Sequence, residues 1–301
     1  MQHSERAGLL YALAGFCTLS IGDAIVKGID GGWAPTAIAA WRYGFAAFLL
    51  TCLLVSREGW RPLLHWPRPG LQVLRGLGVS VATVAFFTGV WLMPLTEAVT
   101  ISFTQPMFTA IMAVLFLRER LRWQTVAATL LAFAGVLVVL RPNFSLIGLA
   151  ALLPLATAFG MATLMTANRA AAGTASALAM QAYVAIAATV ILTLAMVIGH
   201  LSGEPQLQVG WPGWTTFGSV SVIAVTASVA HWLIYMGTSH AGASTVAPMT
   251  YGQLLSASTL AYIFFGELPD AVALLGAALI VGAGLWMWSL GRTKRSARPT
   301  R

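Results

Sequence analysis

The sequence predicts an all-α integral membrane protein: ten transmembrane helices, arranged as two inverted five-helix repeats around a central cavity. Three observations carry this expectation. Of 301 residues, 58% are hydrophobic and 9% charged, where soluble domains average about 45–50% apolar and about 25% charged. The apolar residues come in continuous runs such as AVTISFTQPMFTAIMAVLFL at 98–117, the length of about 20 residues that a spanning helix needs. They do not alternate with polar residues as barrel strands do. Finally, the second half of the chain repeats features of the first at fixed offsets. Ten such helices with short connections fill this length, and no extramembrane domain of about 100 residues fits beside them.

The first helix, near 7–29, follows a single basic residue, Arg6, and contains Asp23 and Lys27. It is too long for the h-region of a signal peptide and reads as a retained span. Gly31, Gly32 and Pro35 separate it from the second, near 34–55, which carries Arg42. Pro67 and Pro69 introduce the third, near 70–92, and Pro94 divides it from the fourth, near 95–117. In the fourth, Pro106 follows Gln105 and removes a donor, freeing a backbone carbonyl one turn earlier near Ser102. The fifth, near 122–140, ends at Pro142. The sixth spans 145–167. The seventh, 174–199, stops before Gly203 and Pro205; the eighth, 212–238, opens on Pro212. The ninth covers 243–265, and the tenth, 269–290, opens on Pro269.

The formal charge of +8 and pI near 10.2 would suggest nucleic acid in a soluble protein. Here the basic residues are a topology signal. With the N-terminus inside, cytoplasmic segments hold Arg6; Arg57, Arg61, Arg68 and Arg75; Arg118, Arg120 and Arg122; Arg169; and Arg292, Lys294, Arg295, Arg298 and Arg301, fourteen of the 17 Lys and Arg. Both termini are therefore expected in the cytoplasm of a multi-pass plasma (inner) membrane protein, with no nucleic-acid partner. Cys17 and Cys52 fall inside apolar runs and read as packing residues.

A shift of 148 residues aligns the fourth and ninth helices without a gap: Gln105 with Gln253, Ala113 with Ala261, Phe116 with Phe264 and Glu119 with Glu267. A shift of 140 pairs Gly8 with Gly148, Leu13 with Leu153, Tyr43 with Tyr183 and Ala47 with Ala187. Five helices per copy is an odd number, so the second copy enters the membrane upside down. Glu119 agrees with this, lying among three arginines, while Glu267 lies in Gly266-Glu267-Leu268-Pro269-Asp270 with no base. The repeats are expected at 8–140 and 145–290, followed by a basic cytoplasmic tail at 291–301. Inverted repeats are a recurring plan of secondary transporters.

On these residues the chain resembles the EamA family of the drug/metabolite transporter superfamily. The carrying features are Pro106, the Leu-x-Glu-Arg run at 117–120, the Ala-Gly-Val-Leu at 134–137, and Trp41-Arg42-Tyr43 in the second helix. The second copy, YGQLLSASTLAYIFFGE at 251–267, lacks the equivalent of Pro106 but keeps the Gly-Glu ending. The resemblance implies ten helices in two repeats and a cavity for a small organic solute. Asp23-Ala24-Ile25-Val26-Lys27, followed by that second helix, is similar to carriers assigned to S-adenosylmethionine or riboflavin.

The candidate substrate-binding residues are Asp23, Trp41, Arg42, Gln105, His231, Tyr251 and Gln253. A carboxylate within a span costs roughly 2.5–3.5 kcal/mol, so Asp23 needs a partner or a task. Arg42, counted from the outer ends, matches its depth of about 9–10 Å, which makes an Asp23–Arg42 pair geometrically feasible, either as a structural bridge or as a charge site. Lys27 is expected to snorkel to the outer headgroups. Gln105 and Gln253 lie about 15 Å into their helices, at mid-bilayer. They serve either a polar solute or helix–helix adhesion. His231 is read as a packing histidine or a proton shuttle. Glu97 suits a helix start; Glu119 and Glu267 are expected to pin turns. Trp41, Tyr43, Trp91, Phe103, Tyr183, Trp232, Tyr235 and Tyr251 supply rings suited to planar or cationic solutes, whereas Trp33, Trp66, Trp211 and Trp214 read as interface anchors. Small residues on the fifth and tenth helices (Ala128, Ala132 and Gly135; Ala278 and Gly282) permit close packing, within the chain or across a homodimer.

The functional expectation is a secondary transporter of a small organic metabolite by alternating access, with proton coupling open. A channel or a structural membrane partner is the alternative. An intramembrane enzyme would need a nucleophile, acid–base pair or metal cluster at depth, and the sequence has no HExxH, GxSxG or cysteine–histidine cluster. No P-loop is present, and no cofactor or metal is expected.

Overall fold

The computed structural model describes residues 2–29, 31–117, 123–140, 148–171, 173–241 and 247–296. Among these the chain is helical and has no strand. The helices are α1 (Gln2–Ile29), α2 (Pro35–Glu58), the single turn α3 (Arg61–Leu64), α4 (Pro69–Leu92), α5 (Leu95–Ser102), α6 (Gln105–Leu117), α7 (Trp123–Leu140), α8 (Leu153–Ala171), α9 (Ala177–Leu201), α10 (Gly213–Ala241), α11 (Tyr251–Phe265) and α12 (Ala271–Ser296). Short 3-10 turns occupy Gly148–Leu152, Pro205–Leu207 and Ala247–Thr250. The prolines mark helix starts as expected: Pro35 and Pro69 take the first helical position, where a missing N–H costs nothing.

Several boundaries differ from the sequence expectation. Helix α1 starts at Gln2, and α12 runs on to Ser296 into the basic segment. The fourth passage is two helices, not one. After Ser102 the chain makes a turn at Phe103 and Thr104, with Phe103 N donating to Val99 O at 3.2 Å and Thr104 N to Ile101 O at 3.0 Å, before α6 begins at Gln105. Pro106 then sits in the first turn of α6. In the ninth passage a 3-10 turn containing Pro248 precedes α11, and the 148-residue shift lays it on Val99–Ser102. The first copy's turn at Phe103 and Thr104 falls immediately after that stretch, so the two copies are irregular at neighbouring positions and not at equivalent ones. Residues 118–122, including Glu119 and its flanking arginines, lie outside the described residues. So do the expected starts of the sixth and ninth helices at 145 and 243, and the tail beyond Ser296.

Among the described residues, six helices are long and apolar enough to cross a membrane: 6–29, 35–58, 69–92, 95–116 across the α5–α6 turn, 177–201 and 213–234. Two shorter apolar helices lie at Val126–Gly135 and Ala271–Trp286. Helices α8 and α11 fall short because they are richer in polar residues or shorter. Those polar groups are spent on neighbours: Thr157 Oγ1 donates to Ala82 O at 3.3 Å, and Ser256 Oγ lies 2.8 Å from Ser20 Oγ. The protein is thus an all-helical, multi-pass membrane protein. Large apolar side chains face outward, among them Leu194, Ile198, Leu255 and Phe264, while Ile38, Phe87, Leu95, Ile101, Ile223 and Ile280 are buried between helices.

Helix α1 packs on α10 and α11, and α4 packs on α8 and α9. Helix α2 lies on α9 and α10, α6 on α8, and α7 on α12. Exchanging the first five passages with the last five maps each of these pairings onto another or onto itself: α1 on α10 becomes α8 on α4, α1 on α11 becomes α8 on α6, and α2 on α9 and α7 on α12 are unchanged. The α4–α8 crossing requires glycine on both sides. A Cβ on Gly78 would come within 2.7 Å of Gly160 O, and one on Gly160 within 2.5 Å of Gly78 O. Small residues permit such backbone approach in a bilayer, where helices gain nothing from hydrophobicity against lipid. Gly135 likewise sits against Gly276 O and Ile280, so it packs within the chain beside the buried Ala128 and Ala132. Ala278 and Gly282 are exposed.

Candidate functional site

Ser20, Asp23 and Lys27 are separated by three and four residues, which puts them on one face of α1. That face meets α11 and the residues that follow it, through four polar contacts. Ser20 Oγ donates to Gln253 O at 3.0 Å and lies 2.8 Å from Ser256 Oγ. One turn on, Gln253 Nε2 donates to Asp23 Oδ2 at 2.9 Å. At the helix end, Lys27 Nζ pairs with Glu267 Oε1 at 2.7 Å.

The Lys27–Glu267 contact ties four segments. Lys27 Nζ also donates to Val90 O at 3.2 Å and Met93 O at 3.0 Å. Val90 O needs such a donor because residue 94, whose N–H would normally reach it, is proline. Glu267 Oε2 accepts from Leu95 N at 3.0 Å, a carboxylate at the start of α5 where free amides and the helix dipole favour it. Trp91 Nε1 donates to Val26 O at 2.7 Å beside this clasp. Lys27 is therefore held inside the protein and does not snorkel to headgroups: a nearby carboxylate and two carbonyls outcompete water. Glu267, expected to pin its own turn, instead bonds across to α1 and α5.

Asp23 and Arg42 are both half-buried but form no ion pair. Asp23 takes the Gln253 amide instead, because its face of α1 is turned to α11. Arg42 lies beside two rings, 5.4 Å from the Tyr43 centroid and 5.7 Å from Phe87. Asp23 is half-buried, whereas His231 is exposed beside the exposed Trp232. His231 Nδ1 lies 2.7 Å from Ala227 O, which engages one ring nitrogen with its own helix.

The remaining predicted residues are spread around this region. Trp41 is exposed, donates from Nε1 to Ser221 Oγ at 3.3 Å, and stacks on Phe217 at 4.7 Å. Tyr251 and Phe103, equivalent under the 148-residue shift, meet edge to face at 5.7 Å. The Tyr251 hydroxyl lies over Gly284, where a Cβ would collide with it. Gln105 does not mirror Gln253. Its side chain is half-buried and bonds no described residue. At the equivalent of Asp23 on α8 stands Thr163, which bonds Phe159 O at 3.0 Å and Met112 Sδ at 3.7 Å. The α6–α8 seam is lined instead by Phe108, edge-on to Phe133 and Phe159. One seam is polar and its counterpart aromatic.

Sequence reading missed Ser20 and Ser256, although their spacing from Asp23 and Gln253 was a signal. It also missed a buried network on α4. Arg75, 2% exposed, donates to Gln72 Oε1 and to Asn168 Oδ1, and Gln72 Nε2 donates to Pro67 O at 3.0 Å. Trp66 packs on Tyr183 at 5.0 Å, and Trp33 Nε1 donates to Gly210 O at 3.1 Å. Trp211 and Trp214 remain exposed. A recess of about 690 Å³ opens between the 58–67 segment and the start of α9, lined by Glu58, His65, Trp66, Ser176 and Tyr183. Several of its polar groups are bonded within the protein: Ser176 Oγ donates to Glu58 at 2.7 Å and Tyr183 Oη to Pro62 O at 2.8 Å. No group of three or more metal-ligating side chains occurs among the described residues.

Comparison with known proteins bears on the whole chain. The model of the EamA-like transporter family matches residues 6–141 and again 148–289. The chain is 27% identical over 285 residues to the S-adenosylmethionine uptake transporter of Rickettsia prowazekii, covering 93% of this chain and 92% of that one. It is 30% identical over 264 residues to the riboflavin transporter of Rhizobium johnstonii, covering 84% and 81%. It is 24% identical to the pseudopaline exporter CntI of Pseudomonas aeruginosa, covering 96% and 98%. A crystal structure 20% identical in sequence superposes with a TM-score of 0.60 over 97% of this chain and 99% of the other, a likeness of fold. These relatives are named as transporters, not enzymes.

Proposed function

The chain belongs to the EamA-like transporter family, and from that premise we propose that it is a secondary transporter of a small organic metabolite, working by alternating access. In this reading ten helix passages cross the plasma membrane as two inverted repeats, at 8–140 and 145–290, with both termini cytoplasmic. The two family matches and the exchangeable helix pairings support the repeats. The solute occupies a central cavity bordered by Asp23, Trp41, Arg42, Gln105, His231, Tyr251 and Gln253. Relatives named for S-adenosylmethionine and riboflavin support a solute with a planar ring, which the rings of Trp41 and Tyr251 suit.

The observation that carries the proposal is a set of polar groups held at depth among apolar helices: Asp23 fixed by Gln253, and Arg42 in α2 without an ion pair. Intramembrane charges are costly and mark solute or ion pathways. A purely structural role would have paired the two charges. The test is uptake by purified protein in proteoliposomes without ATP, using labelled S-adenosylmethionine and riboflavin. Saturable uptake that is competed by unlabelled solute, and accelerated by solute on the far side, is the expected result. Flux that rises linearly with concentration would instead indicate a channel. Proton coupling would appear as uptake that responds to a pH gradient and collapses with an uncoupler.

A further inference from the structure

The connection between α2 and α4 is held against the bundle on one side and left open on the other. On the inner side of α3, Tyr183 Oη donates to Pro62 O at 2.8 Å. Leu63 and Trp66 pack there against the buried Leu54, Ala179, Ala182 and Tyr183. Trp60 already has helical backbone angles, so it shares a side of the turn with Leu64, four residues on. These two are 67% and 75% exposed. Arg57 and Arg61 are also exposed and bond no described residue. The acid of this segment, Glu58, accepts from Ser176 Oγ and forms no ion pair with either arginine. Arg68 differs from both in donating to Ala170 O at 2.7 Å.

The matching connection of the second copy, between α9 and α10, has the same build and a different charge. Its turn at Pro205–Leu207 is tied back by Gln208 Nε2 donating to His200 O at 3.2 Å and by Val209 N donating to His200 Nδ1 at 3.1 Å. Leu201, Trp211 and Trp214 are exposed. Residues 200–212 include Glu204 and no lysine or arginine. Tryptophan at the ends of membrane-crossing helices suits the headgroup level, and both connections supply it. The first connection alone adds free guanidiniums, whose planar forks match phosphate oxygens. Two uncompensated positive charges favour a headgroup of net negative charge over a zwitterionic one.

We propose that the 57–68 segment docks on anionic phospholipid headgroups, with Arg57 and Arg61 bonding their phosphates and Trp60 and Leu64 seated in the bilayer interface. The 200–212 segment meets the bilayer through its apolar side chains and does not select lipid charge. Lipid is the occupant, and not an acidic protein, because the arginines are interleaved with apolar side chains at the end of a spanning helix, where the bilayer surface already lies.

The test reads the lipid beside each connection and does not depend on transport. Full-length protein carrying Cys17→Ala and Cys52→Ala receives one fluorophore, at His65→Cys or, in a second protein, at Gln206→Cys. Each protein is reconstituted in phosphatidylcholine bilayers containing either brominated phosphatidylglycerol or brominated phosphatidylcholine as quencher. An arginine beside an anionic surface is worth about 5-fold in association, so the pair should give phosphatidylglycerol a preference of about 25-fold at position 65. High salt should reduce that preference. Arg57→Gln combined with Arg61→Gln should abolish it, and position 206 should show none. Both arginines are exposed, so the double variant is expected to fold; if it does not, the contrast between positions 65 and 206 decides. Equal quenching by the two lipids at 65 overturns the proposal, as does an equal preference at 206. A preference that survives loss of both arginines overturns it by assigning the selection to the other basic segments. Quenching by neither lipid at 65 overturns it in favour of a segment that stands clear of the bilayer, open to a protein partner.

Discussion

Gln253 donates to Asp23, whereas the side chain of Gln105 bonds no described residue, so the same substitution at the two positions should act differently. Gln253→Leu strips the donor from a carboxylate at depth and should lower stability by about 1–3 kcal/mol. Gln105→Leu should change stability by no more than about 0.5 kcal/mol. Thermal unfolding of the two purified variants measures the contrast, and equal losses would show that Gln105 also serves as helix adhesion. If both amides touch solute, each variant should weaken uptake per folded molecule by about 2- to 12-fold. At Gly284 the limit is space. Gly284→Ala drives a methyl into the Tyr251 hydroxyl and should destabilise by about 1–3 kcal/mol, the usual cost of overpacking. Adding Tyr251→Phe removes the colliding oxygen and should recover part of the loss.

Among the elements, the clasp at the end of α1 is the most densely bonded point. Its two charges are 13% and 23% exposed, shielded enough for removal of one partner to leave the other costly. Lys27→Met or Glu267→Gln alone should cost about 3 kcal/mol. The double variant should cost less than the sum. Exchanging the charges should fail to rescue, because a glutamate at 27 would face the Val90 and Met93 carbonyls and a lysine at 267 would face the Leu95 amide. A thermal-unfolding double-mutant cycle with the exchanged pair tests this. Rescue by exchange would mean that the backbone partners contribute little. The clasp also joins α1, α4, α5 and the segment that follows α11.

For the whole molecule, the distribution of arginine and lysine predicts a cytoplasmic C-terminus. A reporter fused after Arg301 should be active inside the cell, and one placed between Ser202 and Gln208 should be reached from outside. A C-terminus labelled from outside in intact cells would overturn both the charge count and the inversion of the repeats. Small residues predict contacts as well. Gly135, Ala128 and Ala132 are consumed within the chain by α12, whereas Ala278 and Gly282 remain exposed and are the positions at which cysteine cross-linking would detect a homodimer.

The sequence by itself determined the helical membrane character, the place of most helices and the irregularity near Pro106. These follow from local composition, and a run of apolar residues needs no distant information to become a helix in lipid. It also brought Asp23, Arg42 and Gln253 forward, because a polar group at depth stands out against an apolar background. What the sequence left open was partnership. Asp23 and Arg42 match in depth and sign, yet depth along a helix says nothing about rotation around it. The rotation of α1, set by its packing on α10 and α11, hands Asp23 to Gln253 and Lys27 to Glu267. The same geometry decides that one repeat seam is polar and the other aromatic, although the two glutamines align without a gap. Side-chain pairing between helices more than 200 residues apart is a property of crossing angle and register, and only the tertiary structure fixes those.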